Sequence, residues 1–147
     1  MRPLLRTSGL VRRSVVYRGI RLGVAADALF DRAIRRLVGL EVHCGDDKDR
    51  FLPFPACEVC DERIVVESAL VLLEGNLDFY RLDGCTFSQL RDTRVLVGGD
   101  EAGTLADLLV TPDGEVTRIV AAATGGRLEL EADGAVTLGN QGLRPAV

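Results

Sequence analysis

Apolar residues in this chain come in short runs, and the runs alternate with polar positions more often than they repeat every three or four. Ile20, Leu22 and Val24 are apolar with Arg21 and Gly23 between them, a pattern that predicts a half-buried strand. Val38, Leu40 and Val42 repeat it. Arg50-Phe51-Leu52-Pro53-Phe54-Pro55 is an apolar extended run whose prolines exclude a central, fully paired strand. Ile64-Val65-Val66 predicts a short β-branched strand, and Ser68 to Leu73 either a strand end or one helical turn. The segment Asp31 to Leu37 stays open between helix and strand-turn-strand. Leu29, Ala33 and Leu37 share a helical face, but Phe30-Asp31-Arg32 also suits a turn. Asn76 to Gln89 is mixed, aromatic and turn-rich, and reads as a linker.

Beyond it the pattern is cleaner. Strands are predicted at Arg94 to Val97, Leu105 to Thr111 and Glu115 to Ala121, and around Leu128 and Leu130. Turns are predicted at 98–103, Pro112-Asp113-Gly114, Gly125-Gly126 and Asp133-Gly134, with Val136 and Leu138 in a last strand. Short strands about ten residues apart point to small barrels or sandwiches.

The two parts echo one another. Gly23-Val24-Ala25-Ala26-Asp27 is matched by Gly103-Thr104-Leu105-Ala106-Asp107, each followed by an apolar segment, a turn and an apolar return. This pattern, with the Pro-Asp-Gly turn in the second part and the Arg50 to Phe54 run in the first, resembles the PRC-barrel family over residues 14–75 and 90–140. The resemblance implies a mainly β chain: two small PRC-barrel-like β-barrels in tandem, with short helical turns. It makes Asp27 to Val42 strand, turn, strand. The resulting division is a basic arm at 1–13, a first half at 14–75, a linker at 76–89 and a second half at 90–147. Such barrels resemble the cytoplasmic domain of a photosynthetic reaction-centre subunit and a domain of a ribosome-maturation factor. These are contact roles without a catalytic residue set.

Composition adds limits. The 147 residues are 47% hydrophobic and 27% charged, which suits a globular chain. Net charge is −4, but Met1 to Arg21 carries six arginines and no acid. The overall acidity argues against direct binding of nucleic acid. No apolar run is long enough for a spanning helix, and the first residues lack the apolar core of a secretory signal, so a cytoplasmic chain with reduced cysteines is expected.

Candidate chemistry is sparse. Cys57 and Cys60 form a CxxC, with His43 and Cys44 upstream, and together they are the candidate metal ligands. On a strand, His43 and Cys44 point to opposite faces. Asp47, Asp49 and Glu58 have partial calcium-loop spacing, but Phe51 and Leu52 occupy positions that need an oxygen ligand and a glycine. His43 is the sole histidine, and no nucleophile motif accompanies it. The expected function is therefore a non-enzymatic protein-binding or assembly module without cofactor. It would take an unidentified protein partner or form a homodimer, through residues such as Arg12, Arg13 and Phe54. A ribosome- or RNA-associated factor is the first alternative, and a cysteine-based metal or redox sensor the second.

Overall fold

The computed structural model describes residues 3–74, 77–132 and 136–138. In chain order the first part contains β1 (Leu5–Arg6), α1 (Thr7–Leu10), β2 (Ser14–Tyr17), β3 (Ile20–Phe30), β4 (Leu37–Cys44), β5 (Asp49–Pro53), β6 (Glu58–Val59) and β7 (Arg63–Val65). The second contains α2 (Leu77–Asp83), β8 (Cys85–Thr86), α3 (Phe87–Leu90), β9 (Arg94–Val97), β10 (Asp100–Val110), β11 (Val116–Ala123), β12 (Gly126–Glu131) and β13 (Val136–Leu138). Single 3-10 turns occupy Phe54–Ala56 and Ala69–Val71.

The chain is mainly β, in two sheets. One has the order β5-β4-β3-β2-β7-β6, and the other β12-β11-β10-β9-β13. Among the described residues neither order returns to its starting strand, so the expected barrels are not closed. The prolines act as anticipated, since β5 lies at a sheet edge. Asp31 to Arg36 is a turn between β3 and β4, and Leu37 begins β4. The helical spacing there is overridden because Leu29 and Leu37 belong to two paired strands. The turn expected at 98–103 is shorter, because β10 already begins at Asp100. Val136 to Leu138 pairs with β9 rather than with β12, and Asp133-Gly134 lies outside the described residues.

The repeat extends further than the glycine and aspartate positions. Adding 80 to a residue number carries Leu10 to Leu90, Val15 to Val95, Gly23 to Gly103 and Asp27 to Asp107. Backbone geometry follows the same offset. Arg12 (φ 80°) matches Asp92 (65°), Arg18 (48°) matches Gly98 (59°), and Ile34 (56°) matches Gly114 (93°).

Each repeat is organised around one long strand, β3 or β10. The N-terminal part of that strand pairs with the preceding short strand, and the C-terminal part with the following one. Register shifts between Ala25 and Asp27, and between Leu105 and Asp107, mark bulges where the strand bends. Gly103 sits at φ +144°, where a Cβ would lie 2.3 Å from the Ala122 carbonyl oxygen. A Cβ at Gly23 would meet the His43 carbonyl at 2.4 Å. The bend also sets the buried face in the first repeat. Gly23 and Ala25 face inward, while Ile20 is 63% exposed.

Bending leaves the edge of each long strand free at its C-terminal end, and the other repeat fills it. β1 pairs with β10 through Leu5↔Val110 and Arg6↔Leu109. β8 pairs with β3 through Leu29↔Thr86 and Phe30↔Cys85. The leading strand and helix of each repeat are thus exchanged across the molecule. Residues 5–10, within the basic segment, form β1 and α1; residues 77–90 form α2, β8 and α3. The turns after the two long strands also meet, with Leu37 N–H donating to the Gly114 carbonyl (2.7 Å) and Val116 N–H to the Arg35 carbonyl (2.8 Å). One buried cluster follows from this exchange. It contains Leu10, Val15, Phe30, Leu40 and Ile64 together with Leu90, Val95, Leu108 and Ile119. A smaller cluster of Leu29, Phe51 and Leu77 lies under α2, where Tyr80 stacks on Phe51 with ring centroids 4.1 Å apart.

Candidate functional site

The exchanged helices are locked by a pair of matched contacts. Asp107 is 2% exposed, and its carboxylate accepts from Ser8 N–H (3.0 Å), Ser8 Oγ (2.5 Å) and Leu108 N–H (2.9 Å). Asp27 accepts from Ser88 N–H (3.1 Å), Ser88 Oγ (2.5 Å) and Ala28 N–H (2.8 Å). Each aspartate of one repeat therefore holds the helix of the other. The motif behind it is short: Ser8 and Leu10 in one segment, Ser88 and Leu90 in the other. Thr86 caps α3, accepting from Gln89 N–H while the Gln89 side chain accepts from Thr86 N–H.

Between the two helices, above β3, lies a cleft of about 470 Å³. Ser8, Val11 and Arg12 line it from the first leading segment, Ala26 and Asp27 from β3, and Phe87, Ser88 and Arg91 from the second. Arg12 and Arg91 are exposed. The Arg91 guanidinium lies over the Phe87 ring, 5.8 Å from its centroid. Among the described residues neither arginine is in an ion pair. The acid in the cleft, Asp27, spends its oxygens on Ser88 and Ala28. The Ser8 and Ser88 hydroxyls are committed to Asp107 and Asp27, and the Phe87 ring is buried, so the cleft offers two available guanidinium groups, which suit carboxylates.

The three residues expected from sequence to meet a partner separate here. Arg12 reaches the cleft. Arg13 donates from Nε to the Gly9 carbonyl (2.6 Å) and from a terminal nitrogen to the Cys60 carbonyl (2.7 Å), fastening α1 to the loop before β7. Phe54 is 3% exposed and belongs to the core, beside Gly114. Sequence reasoning passed over Arg91, Ser8, Ser88 and the cleft role of Asp27. The signal for the serines was the 80-residue offset, which relates Ser8 to Ser88 as it relates the two aspartates.

The candidate metal ligands are dispersed. His43 is exposed on β4, with Nδ1 2.8 Å from Asp49 and Nε2 3.5 Å from Asp47. The Asp49 hydrogen bond raises its pKa above the ordinary histidine value. Cys44, the next residue, is buried, as opposite strand faces require. Burial pushes the Cys57 thiol up to about 12, so it remains protonated at neutral pH. All four cysteines are free thiols. Among the described residues no three His, Cys, Asp or Glu side chains gather as a cation would need.

Other charges on the first sheet bond to one another. Arg50 grips Asp46 (2.7 and 2.9 Å) and Glu74 (2.7 Å), which draws the Asp46 carboxyl down to about 2. Arg81 of α2 pairs with Glu41 of β4 and lies 3.9 Å from Asp49. These pairs tie the 72–74 segment and α2 to the sheet. Among the described residues no helix is long and apolar enough to cross a membrane. In comparisons with known proteins, no family model matches the chain and no curated protein matches it significantly.

Proposed function

We propose that this chain is a non-enzymatic protein-contact module of the PRC-barrel type, and that the cleft between its exchanged helices holds an acidic segment of a protein partner. The observation that carries this reading is the pair Arg12 and Arg91. Both line one cleft, both are exposed, and neither is matched by an acid among the described residues. Guanidinium groups in such a setting bind carboxylates in two-point fashion. The matched bulges at Gly23 and Gly103, and the tandem arrangement of two bent sheets, support the PRC-barrel reading. A cytoplasmic setting accords with four unpaired cysteines.

The test is capture of partners from native lysate by the tagged chain and by an Arg12→Glu/Arg91→Glu variant, each with and without nuclease. The proposal expects one protein retained through nuclease treatment and lost with the double reversal. Equal recovery by both forms would exclude the cleft. Loss on nuclease treatment would transfer the reading to RNA.

A further inference from the structure

The two repeats differ at their outer edges. β5 closes one sheet and β12 the other, at related places in the two repeats. β5 is covered: Phe51 exchanges backbone hydrogen bonds with Leu73 (2.9 and 2.8 Å), and Tyr80 of α2 stacks on the Phe51 ring. At β12 the position corresponding to Phe51 is Glu129, which pairs with Arg118 at 3.2 Å on the same face. Nothing among the described residues pairs with the outer side of β12, and five of its six residues are exposed. Leu128 is 46% exposed. A free edge of this length presents a row of unpaired N–H and C=O groups and is a template for another strand.

The charges along β12 specify which strand. Arg127, Glu129 and Glu131 share one face, while Leu128 and Leu130 share the other, where Leu130 packs against the core. The order reads positive, apolar, negative, apolar, negative. Laid antiparallel to itself, Arg127 falls opposite Glu129 or Glu131 of a second copy in the registers that keep both apolar faces together. The same contact then recurs by symmetry, Glu to Arg. A two-fold interface needs this self-complementarity. Arg118 already neutralises Glu129, so two acids meeting near the axis are not left unopposed.

We propose that β12 is a self-recognition edge, through which two copies of this chain join their second sheets into one continuous antiparallel sheet. Cross-strand Arg–Glu pairs fix the register, and the backbone groups of β12 supply the hydrogen bonds.

The experiment measures solution mass by sedimentation and light scattering for three full-length chains. These are the unmodified protein, an all-acidic edge (Arg127→Glu) and an all-basic edge (Glu129→Arg/Glu131→Arg). All altered side chains are exposed, and circular dichroism checks that each variant keeps its fold. The proposal expects twice the chain mass for the unmodified protein, single-chain mass for each variant alone, and recovery of the doubled mass when the two folded variants are mixed. A single-chain mass for the unmodified protein overturns it. Doubled mass in both separate variants places any dimer on another surface and also overturns it. Variants that remain single after mixing show that the substitutions did not act by strand pairing, with the same consequence. The outcome is independent of the cleft, since neither Arg12 nor Arg91 is altered.

Discussion

Asp107 illustrates how one side chain does the work of a longer segment. Its carboxylate takes three hydrogen bonds, two of them from Ser8, nearly a hundred residues earlier in the chain. Its burial is nearly complete. Removing the acceptor would leave the buried Leu108 amide without this partner and release the more exposed Ser8 donors to water, and an unmade buried hydrogen bond costs more than a made one contributes. Asp107→Ala is therefore expected to lower stability by about 1–3 kcal/mol, read from urea denaturation. Ser8→Ala removes only the hydroxyl donor and should cost less. A loss near zero for Asp107→Ala would mean that α1 is held by packing alone. Arg13 and Phe54 show the converse at the same scale. Each has the composition of a contact residue, yet one is committed to backbone carbonyls and the other to the core.

At the scale of elements, the exchanged leading segments carry the fold. β1 and α1 are only two and four residues long, too short to be stable by propensity. They exist because β10 offers a free edge and because Thr7 and Leu10 enter a cavity prepared by the other repeat. The Thr7 hydroxyl donates to the Leu108 carbonyl at 2.8 Å. Removing residues 1–13 should uncover this part of the core. Loss of the buried Leu10 side chain alone costs about 3 kcal/mol, and a fall in Tm of roughly 10 °C follows for a chain of this size. Thermal melts of the shortened chain check this. An unchanged Tm would mark the segment as a solvated arm, as its charge alone suggests. The same reasoning explains the outer edges. The α2 helix, through Tyr80 stacked on Phe51, and the Leu73 bridge cover β5, whereas among the described residues nothing covers the charged strand β12.

For the molecule as a whole, exchange makes the repeats interdependent. Each donates a strand and a helix to the other, the two turns hydrogen bond across the seam, and buried residues of both form one cluster. Units of this size bury a modest share of their surface and are marginal alone. Thermal unfolding is accordingly expected as one transition, with calorimetric and van't Hoff enthalpies in agreement. Two resolved transitions would show that the repeats unfold separately and that the seam contributes little. The seam cleft belongs to this scale as well, because neither repeat alone contains both Arg12 and Arg91.

What could be read from sequence was local in origin. The alternation around β4, the β-branched run of β7, the Pro-Asp-Gly reversal and the proline-limited edge at β5 each depend on a few consecutive residues, whose pleat and turn preferences act without distant partners. The Gly–Asp repeat was legible for the same reason, and Arg12 was the one part of the cleft that charge alone singled out. Tertiary structure decided the rest. A strand of two residues has no period to detect, so β1 and β8 are defined only by the edges they fill. The inward placement of Gly23 and Ala25 depends on a bulge made with β4. Whether an arginine is available or spent depends on carbonyls far along the chain, as Arg13 and Cys60 show. Arg91 and Phe87 became partners of Arg12 only when the two leading segments crossed, because packing across the seam, and not spacing along the chain, brings them to one cleft.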